Sequence, residues 1–330
     1  GPGKRTGMRT MANLIALGLL ATALVATAKG AERSYAEWSK FDPSHFDPDH
    51  THTFEVGDIR VVIGDNHAHG GSDRSNYTGI QHLSHRQWAS NVFNPRYAGV
   101  IGLRQACTLE KTGSNAAAIW IERNGQRVTE SYSVVPPHYI DHVATFMATG
   151  KTGYWNDTCY MNGPSDPGIH VRQTDGSWVR HYSEKHGHGA SIAPASWTPD
   201  DFPVIKQVPD SRYPHGGRGF HESFCKLRFD PEYPIWYGRF DTMILVVMMD
   251  RKLGKYFVPF MSPTGGGFSD EFQRTNPAWD YRCLLHDLVP GKPVTVRSRL
   301  IFKPFVDHAD ILTEYEAWLK ALPKDSLQPN

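Results

Sequence analysis

The chain of 330 residues reads as an all-β protein: a large two-sheet antiparallel β-sandwich closed by one C-terminal helix. Three observations lead there. Short segments with period-two alternation recur along most of the length. Turn dipeptides separate many of them. A single convincing helical stripe stands at the end.

The clearest strand is 294–303, VTVRSRLIFK. Val294, Val296, Ser298, Leu300 and Phe302 share one face, and Thr295, Arg297, Arg299, Ile301 and Lys303 share the other, as in a strand with one buried and one wet side. Residues 127–135 alternate in the same way, with Val128, Tyr132 and Val134 inward. Residues 222–229 do so too. Residues 243–249, MILVVMM, are apolar throughout and read as a strand buried on both faces. Further strands are expected at 59–63, 116–123, 139–149, 169–173, 178–182, 256–261 and 280–285. Asn124-Gly125 predicts a two-residue hairpin between 116–123 and 126–135, and Asp175-Gly176 another before Trp178. Pro290-Gly291 marks the turn into the last long strand. In the helix, Asp307 caps the start, Ile311, Leu312, Tyr315, Trp318, Leu319 and Leu322 form the apolar stripe, and Pro323 ends it. So many strands with one terminal helix favour two packed sheets.

The N-terminal stretch sets the expected compartment. Lys4, Arg5 and Arg9 precede the weakly apolar run 14–28, LIALGLLATALVATA. A charged front, an apolar middle of this length and an Ala-x-Ala-like end make a signal peptide. The run falls short of the ~20 residues of a membrane span. The expectation is a leader at 1–30, one domain at 31–330, and a secreted or periplasmic product with no membrane attachment after cleavage. The formal charge of +1 becomes −3 once Lys4, Arg5, Arg9 and Lys29 leave. Such a balance argues against nucleic acid as a partner. The four cysteines contain no C-x-x-C pair, so a zinc ribbon or thioredoxin motif is unsupported; they form up to two disulfides or stay buried thiols.

Two stretches carry a family resemblance. Residues 76–98, NYTGIQHLSHRQWASNVFNPRYA, resemble an early strand pair of galactose-mutarotase-like β-sandwiches. Residues 276–304, NPAWDYRCLLHDLVPGKPVTVRSRLIFKP, resemble the strand, turn and long strand near the end of that domain. SPTGGG at 262–267 followed by NPAWDY is similar to secreted bacterial proteins of this class. The resemblance implies the mutarotase-like supersandwich over most of the mature chain, and carbohydrate as ligand. The superfamily also houses polysaccharide lyases and hydrolase-associated domains. The Asn-His-x-x-Phe-Asn run of mutarotases is absent, so simple sugar epimerisation is not expected.

Four constellations could carry chemistry. His67 and His69 form a His-x-His pair that suits a divalent metal, though no third ligand at matching spacing is visible. Two Gly–His loops hold His186, His188 and His215, and lead to His221 beside Glu222; glycines let the backbone approach a ligand closely, and histidine suits acid–base work near neutrality. Tyr237 and Arg239 lie in an aromatic run, residues 233–241, that suits stacking on sugar faces. Its Trp236 reads as core. Trp279 and Asp280 follow the triple glycine 265–267, where Trp279 is either a sugar platform or a core plug. His221, Glu222, His188, Tyr237 and Arg239 are the expected catalytic groups. Trp279, Asp280, Tyr77, Arg74, His186 and His215 are the expected substrate-binding groups. On an acidic glycan the reaction would be β-elimination, with Arg or a metal neutralising the uronate and His or Tyr as base; hydrolysis would instead require two carboxylates. A non-catalytic glycan-binding or envelope protein on the same scaffold is the alternative.

Overall fold

The computed structural model describes residues 38–70, 77–94, 106–123, 126–147, 153–157, 159–183, 190–197, 224–251, 257–264, 268–269, 274–285 and 289–323. Strand, turn and cap residues form the elements the pattern predicts, and three sheets share one core.

The largest sheet has nine strands. In spatial order these are β10 (Trp178–His181), β9 (Ile169–Arg172), β13 (Ile235–Phe240), β14 (Met243–Met249), β19 (Pro293–Pro304), β7 (Tyr139–Met147), β6 (Gln126–Val135), β5 (Ala116–Arg123) and β4 (Thr108–Gly113). Neighbours throughout this sheet run antiparallel. A three-stranded sheet comprises β1 (Thr51–Val56), β2 (Ile59–Gly64) and β3 (Gly79–His85). A five-stranded sheet comprises β12 (Phe224–Phe229), β11 (Ser191–Pro194), β15 (Phe257–Thr264), β18 (Ala278–Leu285) and β8 (Gly153–Asp157). Here β11 and β12 are parallel, an exception to the antiparallel rule. The short strands β16 (Phe268–Ser269) and β17 (Arg274–Thr275) pair with each other.

Alternation decides which side chains meet. The inner faces contribute Ile63 and Ile80 from the small sheet, Tyr132, Trp236, Leu245 and Leu300 from the large one, and Ile192, Met261 and Tyr281 from the third. This is the sandwich the sequence predicts, with its second layer divided between two sheets. The other face of β13, β14 and β19 is also apolar, as the unbroken run of β14 requires. The helix α1 (His308–Ala321) covers it, burying Ile311, Tyr315 and Trp318 against Ile235, Ile244, Val246, Met248 and Ile301. Ile301, the lone apolar residue on the charged side of β19, thus lies under the helix. The Asp307 carboxylate accepts from the Asp310 amide and sets where α1 begins. Lys303 and Glu314 close the same interface, 2.8 Å apart, and Tyr139 donates to Glu314 at 2.7 Å.

Three basic residues of the wet strand faces are individually matched. Arg180 is bidentate to Asp166, Arg299 is bidentate to Asp141, and Arg172 pairs with Asp230. Cys107, Cys159 and Cys225 carry free thiols.

Candidate functional site

The sheet register brings Tyr237 and Arg239 together with residues from two other strands and the helix. Tyr237 pairs with His170 across β13 and β9, and His170 pairs with Arg180 across β9 and β10. Side chains in register share a face, so Tyr237, Arg239, His170, Trp178 and Arg180 all project to the side that α1 covers in part. The cap at Asp307 then delivers His308 to this group. Tyr237 Oη and His308 Nε2 lie 2.9 Å apart. The Tyr237 ring is held between His170, stacked at 4.6 Å, and Phe305 at 5.8 Å. Trp178 stacks on His308 at 4.7 Å and 12°. The Arg239 guanidinium lies 4.5 Å over Phe305.

Tyr237 is buried, while His170, Trp178, Arg239 and His308 are half-buried. Burial raises the Tyr237 phenol above its ordinary range, with nearby Arg239 pulling the other way. Burial also lowers both His170 and His308. Both imidazoles are therefore neutral at pH 7, and the phenol keeps its proton. The result is an aromatic, partly open cluster with a fixed cation and a proton shared between a phenol and a neutral imidazole. Such a group can stack on a sugar ring, hold an anion and move a proton.

The remaining sequence candidates are dispersed. Arg74, His186, His188, His215, His221 and Glu222 lie outside the described residues. His67 and His69 sit in the turn after β2 but take different partners. The His67 ring packs on His50 at 5.2 Å, and His50 Nδ1 is 2.7 Å from Asp65. His69 Nε2 is 3.0 Å from Gln81 Oε1 and its ring lies against Phe46. Gln81 in turn donates to the Tyr77 carbonyl, and the Tyr77 and Tyr160 hydroxyls are 3.4 Å apart. His69 and Tyr77 are thus linked through one glutamine, which the sequence spacing does not reveal.

Trp279 is fully buried, edge-on to Trp236 and Phe240, and donates from Nε1 to the Pro167 carbonyl at 2.8 Å. Of the two expected roles the core plug is the one its position allows, because a sugar platform needs an open ring face. Asp280, beside it, is buried as well. Trp236 is core, as expected.

Two groups escaped sequence reasoning. His170, Trp178 and His308 join the cluster only through register and the helix cap, and no fixed spacing announces them. Glu130, His142 and Ser298 form a hydrogen-bonded row across β6, β7 and β19. All three are buried, and Tyr132 stacks on the imidazole at 5.0 Å. Burial holds the Glu130 carboxyl well above its usual range. Buried throughout, this row is a polar fastening inside the core.

No family model and no curated protein sequence matches the chain. Among solved structures the chain is similar to heparan sulfate lyase HepC from Pedobacter heparinus, at 10% identity over 78% of this chain and 36% of that one, with a TM-score of 0.42. It is also similar to a GalM/aldose epimerase homologue from C. elegans, at 8% identity over 78% of this chain and 100% of that one, TM-score 0.40. HI1317 follows at 7% identity, 77% and 92% coverage, TM-score 0.37. The chain spans about a third of the lyase's length. At TM-scores below 0.5 these likenesses assign neither family nor activity.

Proposed function

We propose that the chain is a secreted or periplasmic carbohydrate-active enzyme that takes an acidic glycan at the Tyr237–Arg239 face and cleaves it by β-elimination. The observation that supports this reading is the convergence of Trp178, Arg239, Tyr237 and His308 in one half-buried cluster. Each part has a role. The exposed side of the Trp178–His308 stack offers an apolar plane for a sugar face. Arg239 pairs with the uronate carboxylate and makes the neighbouring C–H bond more acidic. The Tyr237 oxygen accepts that proton as its own passes to neutral His308 Nε2. The electrons of the C–H bond form the new C=C bond, the glycosidic oxygen leaves with the electron pair of its bond to the ring carbon and takes a proton from solvent, and His308 gives its extra proton back to solvent.

A panel of acidic and neutral polysaccharides tests this, read by ultraviolet absorbance of unsaturated uronates and by new reducing ends. Absorbance with an acidic glycan, lost in Tyr237→Phe and Arg239→Ala, supports the reading. Reducing ends without absorbance would transfer the reaction to hydrolysis by paired carboxylates. Binding with neither signal would leave a non-catalytic glycan-binding protein.

A further inference from the structure

We propose that Asp58, His85 and His138 form a binding site for a divalent cation of the zinc class. These residues come from three separate elements. Asp58 is in the β1–β2 turn, His85 ends β3, and His138 is in the β6–β7 turn. One ligand atom from each lies within 4.8 Å of the other two. The convergence is built into the backbone. The Asp58 amide donates to the Pro137 carbonyl at 2.7 Å, and Arg86 N donates to the Asp58 carbonyl at 2.9 Å. Gly57 has φ +59°, and a Cβ there would lie 2.3 Å from the Pro137 carbonyl oxygen. Only glycine lets the two turns press this closely.

The donors themselves point to a ligand. Nε2 of His85 is buried without a hydrogen-bond partner, where unsatisfied polar atoms are uncommon; Nε2 of His138 is buried too and has only the Glu314 carboxylate near it, 3.9 Å away. Two imidazoles and a carboxylate form a donor set that suits zinc and its borderline neighbours more than calcium or magnesium, which take oxygen ligands. Asp58 is 41% exposed, which leaves one side of the site facing solvent, as in three-ligand zinc sites that retain an open position. Two local features oppose binding and give it a signature. The Arg86 guanidinium, 46% exposed, lies 3.8 Å from the Asp58 carboxylate, so a cation there competes with it. The Gln87 amide donates to His85 Nδ1 at 3.0 Å. Coordination through Nε2 moves the imidazole proton to Nδ1 and breaks that bond.

The site differs from the His67–His69 pair, which the sequence favours for metal and which joins no group of three donors among the described residues. The test is titration of the chelator-treated full chain with Zn²⁺, by calorimetry and by bound-metal analysis. The wild type, Asp58→Asn, His138→Ala and a His67→Ala/His69→Ala double variant are compared. The expected result is one zinc per chain, weakened at least fivefold in Asp58→Asn and His138→Ala and unchanged in the double variant. The Gln87 amide resonance should also shift on zinc addition. Circular dichroism and the metal-free unfolding midpoint check that the variants fold, and Asp58→Asn alters only a partly exposed turn side chain. No stoichiometric zinc, a less than fivefold effect in Asp58→Asn, or loss of the zinc in the double variant overturns the proposal.

Discussion

Replacing Gly238 by alanine should destabilise the protein out of proportion to one methyl group. Gly238 lies in β13 between Tyr237 and Arg239, with the fully buried Trp279 indole directly above it. A Cβ at Gly238 would lie 2.1 Å from Trp279 Cη2, 2.3 Å from Cζ3 and 2.6 Å from Cζ2. Ordinary contact begins near 3.4 Å, so the rigid ring must retreat by about 1 Å or more. It has little room, because Trp236 and Phe240 pack edge-on against it at 5.7 and 5.9 Å. Overpacking of this kind costs about 1–3 kcal/mol. Retreat also strains the bond from Trp279 Nε1 to Pro167, and a buried donor left unpaired costs a further ~1–3 kcal/mol. The sum, about 2–6 kcal/mol, is a large part of the ~5–15 kcal/mol stability of a folded domain. Urea unfolding of wild type and Gly238→Ala measures it directly. A Gly238→Ala/Trp279→Leu double variant should lose much less than the two single losses combined, because the smaller side chain leaves space for the methyl group. A Gly238→Ala loss below about 0.5 kcal/mol, or additive losses in the double variant, would show that Trp279 is loosely held and refute the core-plug assignment.

Acidification should weaken the fold between pH 6.5 and 3. Burial lowers His82 to about 3 and His85 to about 4 from an unfolded value of 6.5. The unfolded chain thus binds more protons in this window, so stability is full above pH 6.5 and falls as pH drops; His82→Gln should flatten the profile of unfolding midpoint against pH. Glu314→Gln should cost about 2 kcal/mol, seen as a lower thermal midpoint, because its carboxylate accepts from both Lys303 and Tyr139; burial pushes the carboxyl up, but His138, Lys303 and Tyr139 together hold it at about 2. That contribution is present above pH 4.5 and is lost as pH falls towards 2. Tyr315→Phe should cost about 1 kcal/mol, since its hydroxyl donates to the Met249 carbonyl at 2.9 Å. Trp178→Ala should weaken glycan binding, measured by affinity electrophoresis, and should also lower the thermal midpoint, because the half-buried indole loses its stack on His308.

Local pattern determined the architecture. Alternation in residues 294–303, the unbroken apolar run 243–249 and the cap at Asp307 each depend on neighbours in the chain, and each appears in the structure within a residue or two. The hairpin at 124–125 left its trace in the register, where Arg123 pairs with Gln126. Strands β4 and β11 carried no such pattern. Every position of β11 is buried and nearly every position of β4 is exposed, so neither alternates. The site was less legible. Tyr237 and Arg239 could be singled out because two residues apart on a strand means one face. Their partners His170, Trp178 and His308 were settled only by strand register and by the angle at which α1 returns across the sheet. The tertiary structure likewise decided that Trp279 points inward, and that Asp58, His85 and His138 meet. Those meetings join residues dozens of positions apart through hairpin turns and sheet packing, and no sequence period encodes a distance of that kind.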